Sequence, residues 1–435
     1  MRSVGLYTLG CKVSQYETEA IGEAFSAHGF TVMPFDSVCD AYVINTCTVT
    51  GESDRKSRQV IRRAIAKNPE AIVAVVGCYS QRSPDELLKI DGVDIVLGTD
   101  KKLEVVERVE FMLENPGCER YSSIEDLDKA DFEPMTVTRA PRTRAYVKIE
   151  DGCESKCTYC AISSARGRVR SKLPQDVIQE VEGLYKGGTK EIVLTGIETG
   201  SYGKDFDFEY GLGDLIRELD RRGSCERIRL GSLAPELIGK DFVDKVKDAK
   251  ILAPHFHLSI QSGSDKILRS MKRRYSRAMA LENIKYIKEH ILGACFTTDL
   301  MVGFPGESEE DFLDTVSFLS EVGFIDAHVF AYSKRKGTPA ATYPDQVEEN
   351  EKKRRSARLI NAKNEVRDRV LDGIVSSGKT LSVVLETFDG KCYSAHSDSF
   401  AEVRVEAPDG LHGEIIEVVP VSHKDGIILA KLVEC

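Results

Sequence analysis

The chain has 435 residues, of which 30% are charged and 41% hydrophobic, an ordinary globular composition for about two or three domains. A net charge of −10 argues against a non-specific nucleic-acid binder. Apolar runs such as 71–77 are far too short to span a bilayer, the first residues carry no signal-peptide core, and twelve cysteines are too sparse for a disulfide scaffold. The expectation is a cytoplasmic enzyme without a membrane segment, its cysteines serving as metal ligands or buried thiols.

The first region, 1–135, alternates strand-like and helix-like segments. Strands are expected at 4–9, 40–45, 71–76 and 94–97, with helices at 17–28, 53–67 and 101–113. Such alternation implies a doubly wound parallel sheet, which binds ligands just past the carboxyl ends of its strands. Cys11, Cys47 and Cys78 each follow one of the first three strands, in Gly-Cys, Thr-Cys and Gly-Cys. Three thiolates gathered on that edge can hold three irons of a cubane cluster and leave the fourth without a protein ligand. The competing account is three buried thiols, since free cysteine is a common core residue. Three strands ending alike argue against it.

Residues 115–143 resemble a linker in composition. Beyond them, strands are expected at 145–149, 191–194, 228–231, 256–260, 295–301 and 327–330, with helices between. That pattern predicts a partial or complete TIM-like barrel, with function at the carboxyl ends of its strands. After the first of these strands comes Asp151-Gly-Cys153-Glu-Ser-Lys-Cys157-Thr-Tyr-Cys160. This Cys-x3-Cys-x2-Cys run again offers three thiolates. Electron-transfer clusters normally take four cysteines, and a zinc knuckle would want a fourth ligand nearby. An open iron points to chemistry on a bound small molecule.

A charged helix is expected over 345–372, and five short strands over 373–435 form a small antiparallel barrel. Barrels of that size often bind nucleic acid, but this segment holds five Lys and Arg against ten Asp and Glu. Basic clusters recur elsewhere, at 55–63, 166–172, 272–274, 334–336 and 352–355, and offer a phosphate-facing patch. His255 and His257 read as polar tips of a barrel strand rather than a metal site. Cys39, Cys118, Cys225, Cys295, Cys392 and Cys435 fit no ligand spacing.

The Cys153–Cys160 run, with Tyr159 inside it, resembles the signature of radical S-adenosylmethionine (SAM) enzymes. With the first triplet, the chain resembles the radical SAM methylthiotransferases along nearly its whole length. The resemblance rests on Thr8-Leu-Gly-Cys-Lys12, Asn45-Thr-Cys47 and Val76-Gly-Cys78. It also rests on the segments 257–264 and 298–307. The runs 193–203 and 334–341 are most similar to the branch acting on N6-threonylcarbamoyladenosine beside the tRNA anticodon. Ser14 stands where the family often has Asn, and 161–163 reads Ala-Ile-Ser where Ile-Ile-Pro is common.

The resemblance implies a methylthiotransferase domain over 1–135, a radical SAM domain over 136–370 and a TRAM-like barrel over 371–435. It implies two 4Fe-4S clusters, on Cys11, Cys47 and Cys78 and on Cys153, Cys157 and Cys160. SAM would be cleaved at the second cluster to a radical that abstracts hydrogen from adenine C2. Sulfur would come through the first cluster and the methyl group from a second SAM. For SAM itself, Gly196 permits close backbone approach and Glu198 offers a carboxylate to the ammonium. Tyr159 offers a ring for the adenine or for the core. Gln261 and Asp299 are expected at or near strand ends, as SAM contacts or interstrand hydrogen bonds. The implied partners are the tRNA anticodon stem-loop and a low-potential electron donor such as flavodoxin or ferredoxin. Other readings are a methylthiotransferase for N6-isopentenyladenosine or for a ribosomal protein aspartate, and a non-catalytic two-cluster electron-transfer or RNA-binding regulator.

Overall fold

The computed structural model describes residues 2–433, so Cys435 lies outside the described residues. The first sheet holds β1 (Ser3–Thr8), β2 (Thr31–Met33), β3 (Ala41–Thr46), β4 (Ile72–Gly77), β5 (Ile95–Leu97) and β6 (Tyr121–Ser123). All are parallel, in the order β2-β1-β3-β4-β5-β6. β3 and β4 are buried nearly throughout, as expected of parallel strands covered on both faces. The short strands β2 and β6 were not expected from the sequence. β6 falls in the supposed linker, and further along that stretch Met135 and Val137 are buried in the core. The stretch 115–143 is therefore packed structure, not a free connection.

The central strands are β7 (Arg144–Lys148), β8 (Glu150–Asp151), β9 (Arg170–Ser171), β10 (Glu191–Thr195), β11 (Arg227–Leu230), β12 (Ser232–Leu233), β13 (His255–Gln261), β14 (Cys295–Val302) and β15 (Asp326–Ala331). Parallel pairing runs β11-β10-β7 and β12-β13-β14-β15, with Ile228 bridged to Leu252 between the two sets. This is an open barrel whose six main strands follow the expected spacing. On each strand, alternate residues pack outward against helices, among them Ala145, Val147, Ile228, Leu230, Phe256, Leu258, Phe296 and Leu300. The intervening Arg144, Arg229, His255, His257 and Asp299 therefore face the lumen.

The same core includes Tyr16 and Ala20 of the helix Lys12–Ala27, which packs against β7. The Tyr16 hydroxyl sits 2.6 Å from the Met135 carbonyl oxygen and 3.0 Å from a Glu180 carboxylate oxygen. The first sheet is thus fastened to the side of the barrel by core packing and buried hydrogen bonds.

β16 (Leu381–Phe388), β17 (Cys392–Ser397), β18 (Glu402–Glu406), β19 (Ile415–Lys424) and β20 (Ile427–Leu432) close into a five-stranded barrel. Its pairings are antiparallel except β18 with β20, which is parallel. This barrel caps the amino-terminal end of the central strands. Arg229 donates to the carbonyls of Ser397 and Asp398, both at 2.9 Å, and Arg144 pairs with Glu386 at 2.8 Å. Phe400 stacks on His255 with ring centres 4.6 Å apart and lies under the Arg229 guanidinium. The helix Glu349–Ser376 bridges the two barrels, contacting β15 and β19. Among the described residues no helix is long and apolar enough to cross a membrane.

Candidate active site

The antiparallel pair β8–β9 clamps the two ends of one loop, and Cys153, Cys157 and Cys160 lie within it. Gly152 has φ +93°, and a Cβ there would overlap the Arg168 carbonyl oxygen, so only glycine lets the loop close. Cys153 N donates to Gly167 O at 3.0 Å, and Thr158 N to Met271 O at 3.1 Å. These bonds fix the loop before any ligand arrives. Arg273 donates to Cys157 Sγ at 3.3 Å and to Ser259 O at 2.8 Å, while Ile162 N donates to Cys160 Sγ at 3.3 Å. Burial pushes the Cys160 thiol up to about 11.

Cys11, Cys47 and Cys78 follow β1, β3 and β4, neighbours in the first sheet. The fold brings them to one edge, close enough for each to act electrostatically on the others. Cys11 is exposed, Cys47 half-buried and Cys78 buried. Burial pushes Cys78 up to about 11, with the Arg166 guanidinium pulling the other way.

Arg166, fully buried, links Cys78 of one triad to the strand that leads into the other. Its Nε–H donates to Cys78 Sγ at 3.2 Å, and Nη1 lies 2.6 Å from Glu17 and 3.1 Å from Asp151. Glu17 also receives Lys102 and Lys148, each at 3.0 Å, and Lys148 reaches Asp151 at 3.0 Å. Burial alone would raise the Glu17 carboxyl, but Arg166, Lys102 and Lys148 outweigh it and hold it well below the usual range. Arg82 stands within electrostatic reach of both Cys78 and Cys160, so the triads face a common region.

The sequence assigned Arg166 to a phosphate-facing cluster. The structure instead buries Arg166, Arg170 and Lys172, the last paired with Glu180. Arg335, Lys352 and Arg355 are likewise buried, with Asp54, Glu349 and Glu307 as partners. The 166–172 cluster is therefore largely ion-paired interior, whereas 334–336 and 352–355 bury some members and keep Lys334, Lys336, Lys353 and Arg354 exposed.

Of the residues expected near SAM, Gly196 and Glu198 follow β10. A Cβ on Gly196 would stand 2.5 Å from Glu150 Oε2, which instead accepts Glu198 N–H at 2.8 Å. Glu198 accepts Ala234 N–H at 3.0 Å. Burial pushes its carboxyl up to about 7, and Glu236 adds to this against Ala234 N–H and Arg273. Gln261 ends β13 with φ +66° beside a shift in register, a strained position for a side chain bearing a Cβ. Tyr159 packs edge-on against Phe304 at 6.4 Å. Asp299, expected near a strand end, is mid-strand and lies 3.3 Å from His257 and 3.5 Å from His328. Both His255 and His257 bond Thr297 Oγ1, at 2.8 and 2.9 Å, so they are lumen polar groups rather than metal ligands.

The sequence reading missed Glu17 and Glu150 and placed Arg166 and Arg273 only in basic clusters, because their partners are distant in the chain. It also missed Lys12, which follows Cys11. Burial, then Arg144 and Arg229, push the Lys12 ammonium down, while Asp299 and Cys11 oppose them. Among the described residues its amine makes neither ion pair nor hydrogen bond.

Among the described residues no three His, Cys, Asp or Glu close around a single ion. A cubane puts each thiolate on a different iron, so its ligands stand farther apart than those of one ion. Three thiols on a preformed loop, and three at one sheet edge with a guanidinium on Cys78, fit that larger group.

The chain matches the radical SAM superfamily over residues 147–319 and the uncharacterized protein family UPF0004 over 3–98. It is 39% identical to the threonylcarbamoyladenosine tRNA methylthiotransferase MtaB of Bacillus subtilis, across 96% of this chain and 93% of that one. The protein of that name from Thermotoga maritima matches at 35%, across 89% and 87%. The tRNA-2-methylthio-N(6)-dimethylallyladenosine synthase of Methylacidiphilum infernorum matches at 35%, across 84% and 80%. Among solved structures, the radical SAM methyltransferase TsrM of Kitasatospora setae shares the fold, with TM-score 0.59 at 16% identity over 78% of this chain and 77% of that one. Fold and site together define a radical SAM enzyme. The chain belongs to the methylthiotransferase family of that class.

Proposed function

We infer that this protein is a tRNA methylthiotransferase that converts N6-threonylcarbamoyladenosine to its 2-methylthio derivative. The observation that carries the reading is two three-cysteine sites, with Arg166 bonded to Cys78 of one and to Asp151, two residues ahead of Cys153 of the other, in a chain matched along 96% of its length by a relative of that name. Two incomplete ligand sets speak against simple electron transfer, which would use four cysteines at each.

Cys153, Cys157 and Cys160 would hold one 4Fe-4S cluster, and Cys11, Cys47 and Cys78 the other. With SAM bound, these groups supply the radical, the sulfur and the methyl group. The protein's own part is positioning. Glu198 offers its carboxylate to the SAM ammonium, and Gly196 leaves room for Glu150, whose carboxylate accepts Glu198 N–H and orients that turn. Tyr159 and Gln261 complete that side of the pocket. Arg273 and Arg166 fix Cys157 and Cys78 and lend positive charge beside each thiolate. Asp299, between two histidines in the lumen, belongs to the substrate side rather than to SAM.

The site is position 37 in the anticodon stem-loop, the reductant a flavodoxin- or ferredoxin-type donor, and the compartment the cytoplasm. Mass spectrometry of tRNA nucleosides from cells with and without the gene tests the reading. Loss of 2-methylthio-N6-threonylcarbamoyladenosine with accumulation of its precursor is expected. An unchanged profile overturns it.

A further inference from the structure

The threonylcarbamoyl group differs from a dimethylallyl group in one decisive respect: it ends in a carboxylate. A site that accepts it needs a cation in or beside the lumen, and that cation must not be spent on the protein's own carboxylates. Arg229 is bound to Glu191 at 2.8 Å and to two carbonyls of the C-terminal barrel, and Arg144 is bound to Glu386 at 2.8 Å. Lys148 is bound to Glu17 and Asp151. Lys12 differs from all of these, because among the described residues its ammonium has no anionic or hydrogen-bonding partner.

Its position follows from its neighbours. Lys12 opens the helix Lys12–Ala27, which lies along β7. It is within electrostatic reach of Arg144 on β7, Arg229 on β11, His255 on β13 and Asp299 on β14. Four strands around the barrel share only its lumen, so the side chain reaches inward past the β7 edge. The lumen is open on the far side at His328, whose side chain is 76% exposed and touches Asp299. Asp299, between His257 and His328, is within electrostatic reach of Lys12 but makes no ion pair with it among the described residues.

We propose that Lys12 is the specificity-determining cation of a carboxylate-binding subsite in the barrel lumen, where it receives the threonyl carboxylate of the substrate adenosine. The proposal rests on the substrate reading above and adds the group that recognises the charged substituent. A carboxylate there would give the Lys12 ammonium the ion pair it lacks among the described residues. An uncharged alkyl substituent would leave that ammonium unpaired.

The test uses the cluster-loaded full chain, without oxygen, and reads binding rather than turnover. The probes are fluorescent anticodon stem-loop RNAs carrying N6-threonylcarbamoyladenosine, its threonyl methyl ester, or plain adenosine. Wild type is expected to bind the acid at least about tenfold more tightly than the ester, the scale of a charge-assisted hydrogen bond. Lys12→Met, with iron content verified, should bind acid and ester alike, and Lys12→Arg should keep the preference. If Lys12→Met loses iron, Lys12→Gln serves as the neutral variant. A neutral variant that keeps the tenfold preference overturns the assignment. Equal affinity of wild type for acid and ester overturns it with no variant needed. Equal affinity of wild type for modified and plain adenosine overturns the substrate reading itself.

Discussion

Cys153, Cys157 and Cys160 belong to one loop, tied at its ends by β8 and β9 and pinned by backbone bonds to Gly167 and Met271. Cys11, Cys47 and Cys78 come from three strand ends and meet only when the first sheet is formed. The first set is a local device, and little chain entropy is lost in bringing its members together. The second closes over long connections and leans on Arg166 from the other unit. A fixed loop suits a ligand that must be cleaved in one orientation. A triad at the seam between two units suits a group that must meet a substrate held by the other unit.

The sharpest way to break this comparison is to remove one thiol from each set. Cys153→Ser should abolish production of 5′-deoxyadenosine from SAM. Cys11→Ser should leave that production standing and abolish the methylthio product. Each should lose about half the iron. Cys11→Ser protein that still inserts sulfur at the wild-type rate would show that the first triad is not the sulfur site.

Next in size is the shared guanidinium. Arg166→Met leaves Glu17 and Asp151 buried with fewer partners, at a cost of about 3–5 kcal/mol, read from anaerobic urea unfolding. Because Arg166 binds Cys78 directly, iron should fall at the first triad and be kept at the second. Equal loss at both triads would contradict the separation of local and long-range sets.

Glu198 sharpens the comparison from the SAM side. Its carboxyl, raised from 4.5 to about 7, holds a proton between those values that the unfolded chain has released, so its contribution to stability falls as pH rises through that window. Accepting an ammonium needs the carboxylate, so SAM affinity should rise about tenfold between pH 6 and 8 in equilibrium dialysis. Glu198→Gln should flatten that rise. The smallest effect is expected at Thr50, whose hydroxyl accepts Ser53 N–H to cap the helix Gly51–Lys67 after Cys47. Thr50→Ala should cost about 1 kcal/mol in unfolding and spare SAM cleavage.

β4 and β10 were legible because parallel strands covered on both faces read as continuous apolar runs, Ile72–Val76 and Ile192–Leu194. β2 and β6 escaped because three-residue edge strands carry no periodicity. Both triads could be read, one from its spacing and the other from the strand ends that precede it. Arg166 could not, because sequence displays a charge without its partners, and Glu17 stands 149 positions away. A basic run therefore looked like surface and turned out to be interior. Lys12 gave no signal beyond its place beside Cys11, since its lack of an ion pair stands out only once Arg144, Arg229 and Lys148 are seen to be paired.

Arg166 donates its Nε–H to Cys78 Sγ and an Nη1–H to the carboxylate of Asp151, two residues ahead of Cys153. Any movement or change of charge at one must alter the energy of the other through the same rigid plane. Thermodynamic linkage makes that exchange reciprocal. The factor by which loading the first triad changes SAM affinity at the second must equal the factor by which SAM changes the affinity of the first triad for its own load. Measuring either factor then fixes the other.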